Sequence, residues 1–411
     1  MNSALDPGSI KTSVAEHQPD LYLDACATTP LRPGVVEAML EVHANAWGNP
    51  SSLHGFGLAA AESLERSRSR IALALNASQD DVVLTSGATE SIHLALHGFA
   101  AHQSPGRVVI SAVEHPAVTA AAERLKGWGW QVMLWPVDAF GRIDLSFLEE
   151  MLSPPTRLVS LIWGQSEVGT LQPIHAVGVA CSNRGIPFHV DATQVVSQGR
   201  PDWSALPADF LSASAHKFGG PKGIGLLLIR HGRRQDMHPL LGGGGQEQGL
   251  RAGTIPVSLA AGLAEALDRS PSWTPGDRTP DVPNDLNGIV GLRDQLLEML
   301  LVDSRYQLTG DPENRLPHHI SLLVFNHQKR PVSGRALVRA LAQRGIAVSS
   351  GSACSSGQDS GSPILAAMGV DPALVRSGLR LSLGPWLAAD QLPQLVAVMD
   401  QTLTDLDDAT A

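Results

Sequence analysis

The chain has 411 residues, 43% of them apolar, and a formal net charge of −10. The apolar supply is ample for two or three ordinary domains, and the acid excess without any lysine/arginine run excludes a nucleic-acid surface. No stretch reaches the roughly 18 uninterrupted apolar residues of a membrane span, and residues 1–19 are polar with Lys11 as their one basic side chain, so neither membrane nor secretory signal is expected and the cytoplasm is the expected location.

In chain order, residues 1–20 carry Asp6-Pro7-Gly8-Ser9 and no hydrophobic period, which predicts a mobile N-terminal extension. From Leu31 to Asp268 short β-rich runs alternate with longer helical ones. The runs are Val82–Thr85, Arg107–Ile110, Gln131–Leu134, Leu158–Ile162 and Phe188–Val190, and Gly55–Asn76 is a helical stretch rich in Ala, Leu, Glu and Arg. Such alternation predicts βαβ units around a mostly parallel sheet. Residues 21–269 are therefore expected to form a large domain, with 21–35 free to pack against a smaller one. Residues 270–286, dense in Pro, Asp, Ser and Thr, read as a linker loop without an apolar face to bury. A smaller α/β domain over 287–411 is predicted from helices at Asn287–Leu301, Gly334–Arg344 and from Ala388, with strands at Ile320–Phe325 and Leu379–Leu383.

Chemistry-bearing residues cluster beside the predicted strands. Lys217 lies in Ser212-Ala-Ser-Ala-His-Lys-Phe-Gly-Gly-Pro-Lys-Gly223, and Asp191 precedes it by 26 positions in His189-Val-Asp-Ala-Thr-Gln194. A lysine amine able to hold an aldehyde as a Schiff base and a carboxylate able to keep a ring nitrogen protonated are what pyridoxal phosphate requires. Each residue alone is as well read as a surface lysine or a helix cap. Thr85-Ser-Gly-Ala-Thr-Glu-Ser91 follows a strand and opens a helix, so its N–H groups and the Thr89 hydroxyl can hold a phosphate, although a capped helix has the same pattern. The three cysteines, Cys26, Cys181 and Cys354, are too few and scattered for a disulfide framework or a four-cysteine metal site, and no metal is expected.

Further motifs stand in order: Tyr22-Leu-Asp24 through Ala27-Thr-Thr-Pro30, Gly48-Asn-Pro-Ser-Ser52, Glu114-His115, Arg251 through Gly253-Thr254, Ser349-Ser-Gly-Ser-Ala-Cys354, and Arg380 before Ser382-Leu-Gly384. With them the chain, from Tyr22 to its C-terminus, resembles cysteine desulfurases of the NifS/IscS type, which belong to the class V aminotransferase family of fold type I pyridoxal phosphate enzymes. The resemblance implies an α/β fold of that type, a large domain with a mostly parallel central sheet flanked by helices plus a smaller α/β domain. It makes Lys217 the Schiff-base lysine and the base at the substrate Cα, Asp191 the partner of the ring nitrogen, and Gln194 the partner of the phenolic oxygen. His115 would stack on the ring and shuttle protons. Ala88, Thr89, Ser214, His216 and Thr254 would hold the phosphate, Thr254 reaching from the neighbouring subunit of a homodimer. Gly242–Gly245 accordingly resembles an approach loop at a dimer interface, with no Gly-Lys-Ser/Thr after it. Arg380, with Asn49 and Ser166, would bind substrate, the guanidinium clamping its carboxylate.

Cys354 decides which reaction the resemblance implies. It stands in a small-residue stretch, Ser349–Ser362, suited to a mobile loop whose thiolate attacks the sulfur of L-cysteine, leaving alanine and a persulfide for a sulfur acceptor or iron–sulfur scaffold protein. The spacing of 26 positions from Cys354 to Arg380 matches the long-loop NifS/IscS group, and the Arg-x-Gly-His-His-Cys-like motif of the SufS-like group is absent. Cys26 and Cys181 read as structural, Cys181 within an apolar helical pattern. One departure is Gln165-Ser-Glu-Val-Gly169, where many relatives have Asn-Asn-Glu-Ile-Gly; Ser166 then weakens or rearranges cofactor and substrate contacts, with Gln165 or a water compensating. Little chain follows the last helix, which disfavours scaffold docking through a tail. The alternatives are a selenocysteine lyase or other C–S lyase of the same fold, and a catalytically reduced regulatory paralogue.

Overall fold

The computed structural model describes residues 21–276, 284–351 and 361–408. The predicted N-terminal extension and most of the stretch carrying Cys354 lie outside the described residues.

Seven strands form the central sheet, in the spatial order Val82–Thr85, Gly225–Ile229, Phe210–Ser214, Phe188–Asp191, Thr156–Ile162, Arg107–Ser111, Gln131–Trp135. Gly225–Ile229 runs antiparallel to both neighbours and every other pairing is parallel. Strands such as Val82–Val83-Leu84-Thr85 and Gly225-Leu-Leu-Leu-Ile229 are buried along their whole length because helices cover both faces, so they are continuously apolar rather than alternating. That explains one strand unanticipated from sequence, Gly225–Ile229: a short apolar run without alternation carries no period that marks it as β. Phe210–Ser214, equally buried, was also unanticipated. Helices Val35–Asn45, Gly55–Ala74 and Val257–Asp268 bury Val35, Val42, Ala60, Leu64, Ile71 and Leu263 against one face of this layer.

A second, antiparallel sheet has the order Gly378–Ser382, His319–Val324, Tyr306–Leu308. Helices Asn284–Leu301, Gly334–Ala342 and Leu392–Asp408 close its core with Leu296, Leu300, Leu337, Leu341, Leu395 and Met399. In Gly334–Ala342 the buried Leu337 and Leu341 recur one turn apart, and Ser333 caps the start by accepting from Ala336 N at 3.4 Å. Leu21–Tyr22 pairs with Ile346–Ala347, and Leu23 is buried in this smaller core, so the chain crosses from it to the large sheet between Asp24 and Thr29. The Pro-rich stretch after Ser270 does bury apolar surface, contrary to expectation: Trp273 is 2% exposed and its backbone pairs with Arg200. Its single large aromatic side chain is enough to pin the part up to residue 276.

His189, at the centre of the large sheet, ties Ser160 to Ser212 across three neighbouring strands, with Nδ1 2.8 Å from Ser160 Oγ and Nε2 3.2 Å from Ser212 Oγ. Burial pushes its titration down from 6.5 to about 4, against the weaker upward pull of Asp191. Its stabilising effect is therefore complete above pH 6.5 and is lost as pH falls from there toward about 4, because the unfolded imidazole protonates first. The unfolding free energy of the parent protein, from urea titrations, is expected to fall through that window by on the order of a few kcal/mol, and to fall less in His189→Gln. Equal pH slopes would remove His189 as a cause.

Candidate active site

The candidate residues leave the large sheet at one edge. Thr85, Ser111, Ile162, Asp191 and Ser214 are the C-terminal ends of strands that all run the same way, and ligands in open α/β sheets gather at such ends. Ser86–Thr89 follows the first, Glu114 and His115 the second, Gln165 and Ser166 the third, Asp191 and Gln194 the fourth, and His216 and Lys217 the fifth.

Two of these side chains meet on one carbonyl. Lys217 Nζ donates to Cys26 O at 2.6 Å and to Ala27 O at 2.9 Å, while Gln194 Nε2 donates to the same Cys26 O at 3.0 Å. The segment that supplies these carbonyls is laced to the lysine turn: Thr29 N donates to His216 O at 3.0 Å, Gly219 N to Thr29 Oγ1 at 2.8 Å, and His216 Nδ1 lies 3.1 Å from Thr28 Oγ1. Asp191 is 3% exposed; its Oδ1 accepts from Thr193 N at 3.0 Å and from Thr193 Oγ1 at 2.5 Å, which fixes the carboxylate plane and keeps Oδ2 out of those bonds. Gln194 Oε1 is buried without a hydrogen-bond partner.

His115 caps helix Pro116–Lys126, its Nδ1 accepting from Ala117 N at 3.1 Å. An accepting Nδ1 leaves the proton on Nε2, and burial, helped by Lys217 and opposed by Asp191, lowers the titration below 6.5. The ring is thus neutral near neutral pH. Burial and the charges of Lys217 and Lys222 likewise push His216 down to about 4. Glu114 stitches two strand ends: Oε1 accepts from Ser111 Oγ at 2.5 Å, Ser111 N at 3.2 Å and Ile162 N at 3.0 Å. Burial raises its carboxyl to about 8 despite those donors, and Asp191 adds to the rise. Glu114 escaped sequence reasoning as a functional group; only its place beside His115 marked it.

Arg380, from the smaller sheet, closes the site from the other side. Its Nη2 donates to Asp24 Oδ1 at 2.7 Å and its Nη1 to Ser166 O at 3.0 Å, and Nε is buried without a partner. His319 Nε2 lies 3.2 Å from the same Ser166 carbonyl, so the Ser166 backbone, more than its side chain, organises this corner. Gln165 does not take over from Ser166: its Nε2 donates to Val113 O, and its Oε1 accepts from Glu167 N and Val168 N, which spends the amide on the local turn. Behind it Glu167, raised to about 7 by burial against the pull of Ser362 and Arg380, stands where the described chain breaks off at Gly351. A Cβ on Gly351 would come within 2.2 Å of Glu167 Oε1, so any larger residue there requires the Glu167 carboxyl to move.

At the phosphate candidates, Gly87 opens helix Ala88–His93, and Ser214 Oγ lies 3.4 Å from where a Gly87 Cβ would be. Gly225 passes so close that a Cβ would sit 2.6 Å from Gly87 Cα. The turn that opens at Ala88 and Thr89 therefore lies beside Ser214, with His216 two residues farther along the chain. Thr254 and Asn49 are exposed, Asn49 Oδ1 accepting from Ser51 N at 2.9 Å. Cys354 lies outside the described residues. Among those residues there is no cluster of metal-ligating side chains and no helix long and apolar enough to cross a membrane.

A model of the class-V aminotransferases matches residues 21–395. The chain belongs to that family, in its cysteine desulfurase branch. The cysteine desulfurase IscS of Methanosarcina thermophila is 35% identical over 396 residues, 96% of this chain and 94% of the relative. Among solved structures, a NifS-like protein has a TM-score of 0.82 at 30% identity, covering 94% of this chain and 99% of its own. SspA in complex with cysteine has a TM-score of 0.76 at 30% identity, covering 90% and 100%.

Dependence on pyridoxal phosphate is general in the class-V family, and the donor set of this cysteine desulfurase fits that cofactor. A ring N–H suits Asp191, a ring hydroxyl suits the orphaned Gln194 Oε1, and a phosphate suits the Gly87–Thr89 turn beside Ser214. Cys26 and Cys181 are both buried; burial raises Cys26 and takes Cys181 to about 12, so neither offers a thiolate.

Proposed function

We propose that this chain converts L-cysteine to L-alanine on a cofactor held by Lys217, Asp191, Gln194, His115 and the Ala88, Thr89, Ser214 and His216 turn, and loads the sulfur on Cys354. The observation that carries this reading is the meeting of Lys217 and Gln194 on the Cys26 carbonyl, beside a buried Asp191.

Bound there, pyridoxal phosphate supplies an electron sink for the electrons freed at the substrate Cα. Lys217 would hold the cofactor aldehyde, and its free amine would take the substrate Cα proton. Neutral His115 can accept a proton and hand it on. Arg380 binds the substrate carboxylate, its unpartnered Nε and the Asp24-paired Nη2 lying on one side of a planar fork. The Cys354 thiolate attacks the substrate sulfur: an S–S bond forms, the C–S bond breaks, and the electron pair stays with the three-carbon fragment, which is protonated and leaves as alanine. The persulfide then passes to an acceptor protein such as an iron–sulfur scaffold. SspA, a structural relative, was solved with cysteine, in keeping with that substrate.

A homodimer is part of this proposal. Thr254 is exposed in the single chain, and Leu40, Trp47, Leu53, Phe56 and Leu58, all within residues 40–58, are exposed apolar side chains, Leu53 at 92%, suited to a second copy.

The deciding experiment incubates purified protein with L-cysteine. Alanine and sulfide are expected in equal amounts with a thiol reductant, and a mass increment of one sulfur on Cys354 without it. No alanine under either condition points to the regulatory-paralogue reading. Ser166→Asn is expected to lower KM for L-cysteine about three- to tenfold by adding one amide hydrogen bond; unchanged kinetics would show that the Ser166 side chain is irrelevant.

A further inference from the structure

The segment 246–255 is built as a rigid hook. Glu247, whose side chain is 0% exposed, receives a two-pronged bond from Arg68, with Nη2 to Oε1 at 2.7 Å and Nη1 to Oε2 at 2.9 Å. Glu247 Oε2 also accepts from Leu84 N at 2.8 Å, and Arg68 Nη1 donates to Val82 O at 3.0 Å, so the pair is bolted to the strand that ends at the phosphate turn. Glu247 and Gln248 both hold left-handed backbone, φ +51° and +54°, a conformation that costs non-glycine residues energy and persists only where the surroundings impose it. Farther along, Arg251 Nε donates to Glu90 Oε1 at 2.9 Å while Glu90 Oε2 accepts from Ser86 N at 2.6 Å, and Gly253 N donates to Gln246 Oε1 at 3.0 Å. Leu250 and Ile255 are buried, and between them Thr254 is presented outward. A buried pair of opposite charges contributes little net stability but is costly to split, so what it provides here is a fixed geometry.

We propose that Glu247, clamped by Arg68, is a positioning residue for the cofactor phosphate, acting by holding the 246–255 hook so that Thr254 stands at a set place for the neighbouring subunit's site. This rests on the reading of Thr254 as a phosphate ligand across a dimer. Because Glu90 ties the same hook to Ser86, the phosphate turn that a subunit keeps and the threonine that it offers form one mechanical piece.

The test is the dissociation constant of pyridoxal phosphate, titrated by absorbance into the full-length apoprotein. Arg68→Met with Glu247→Met removes both charges together, leaving none buried and unpaired. It is expected to weaken cofactor binding about tenfold, with the melting temperature of the apoprotein and its dimeric state retained. Thr254→Ala should weaken binding to a similar degree, and adding it to the pair variant should bring no further loss, since both act through one contact. Parent affinity in the pair variant, or losses that multiply, would overturn the proposal. Parent affinity in Thr254→Ala alone would instead sink the dimer-site reading beneath it. If the pair variant does not fold, Arg251→Gln loosens the same hook at its half-buried tie and is judged by the same non-additivity with Thr254→Ala.

Discussion

Lys217→Ala is expected to cut alanine formation from L-cysteine by about three orders of magnitude, the scale of a positioned general base together with loss of the covalent tether. The variant should also form no cofactor adduct on reduction with borohydride, read by mass. The contacts of Asp191, Gln194 and the Gly87–Thr89 turn do not pass through the lysine, so the cofactor should still bind without a covalent bond. Lys217→Arg sharpens the test. A guanidinium can keep the bonds to the Cys26 and Ala27 carbonyls, yet it stays protonated and cannot serve as base. Parent activity in either variant would remove Lys217 from the reaction, and with it the role assigned to the whole strand-end cluster.

Cys354→Ser is expected to lower alanine formation below about a hundredth of the parent rate, because a hydroxyl at neutral pH is a poor nucleophile toward sulfur. Cofactor affinity should not change. Exchange of the substrate Cα hydrogen with deuterium from solvent should continue, since it needs only Lys217 and the ring. That split, exchange without alanine, is the signature of a thiol that acts after proton removal. Alanine and sulfide at the parent rate would instead favour a C–S lyase of the selenocysteine lyase kind, in which the protein carries no persulfide.

The two variants probe residues that differ in how far they were legible. Asp191 announces itself because it ends an apolar β-rich run, and a strand end is a local property of the chain; Lys217 was legible from its own motif, Ser212–Gly223, and from Asp191 26 positions earlier. The same locality made Thr85–Ser91 and Glu114-His115 readable. Gly225–Ile229 was not, because a strand covered on both faces has no polar side to betray its period. Ser270–Leu286 misled in a different way: composition predicts a loop, but a single Trp273 at 2% exposure binds its first residues to the core. Gln165 misled through its chemistry, since an amide next to Ser166 is a natural substitute until the turn's own N–H groups claim it.

By itself the sequence determined the chemical inventory and the places along the chain where it would surface, since both follow from residue type and short-range period. Only the tertiary structure decided who meets whom. Lys217 reaches a carbonyl 191 positions away, Arg380 one that is 214 away, and Arg68 a carboxylate 179 away. Those meetings are set by strand order and by the crossing of residues 24–29 between two sheets, and no local pattern of side chains encodes them.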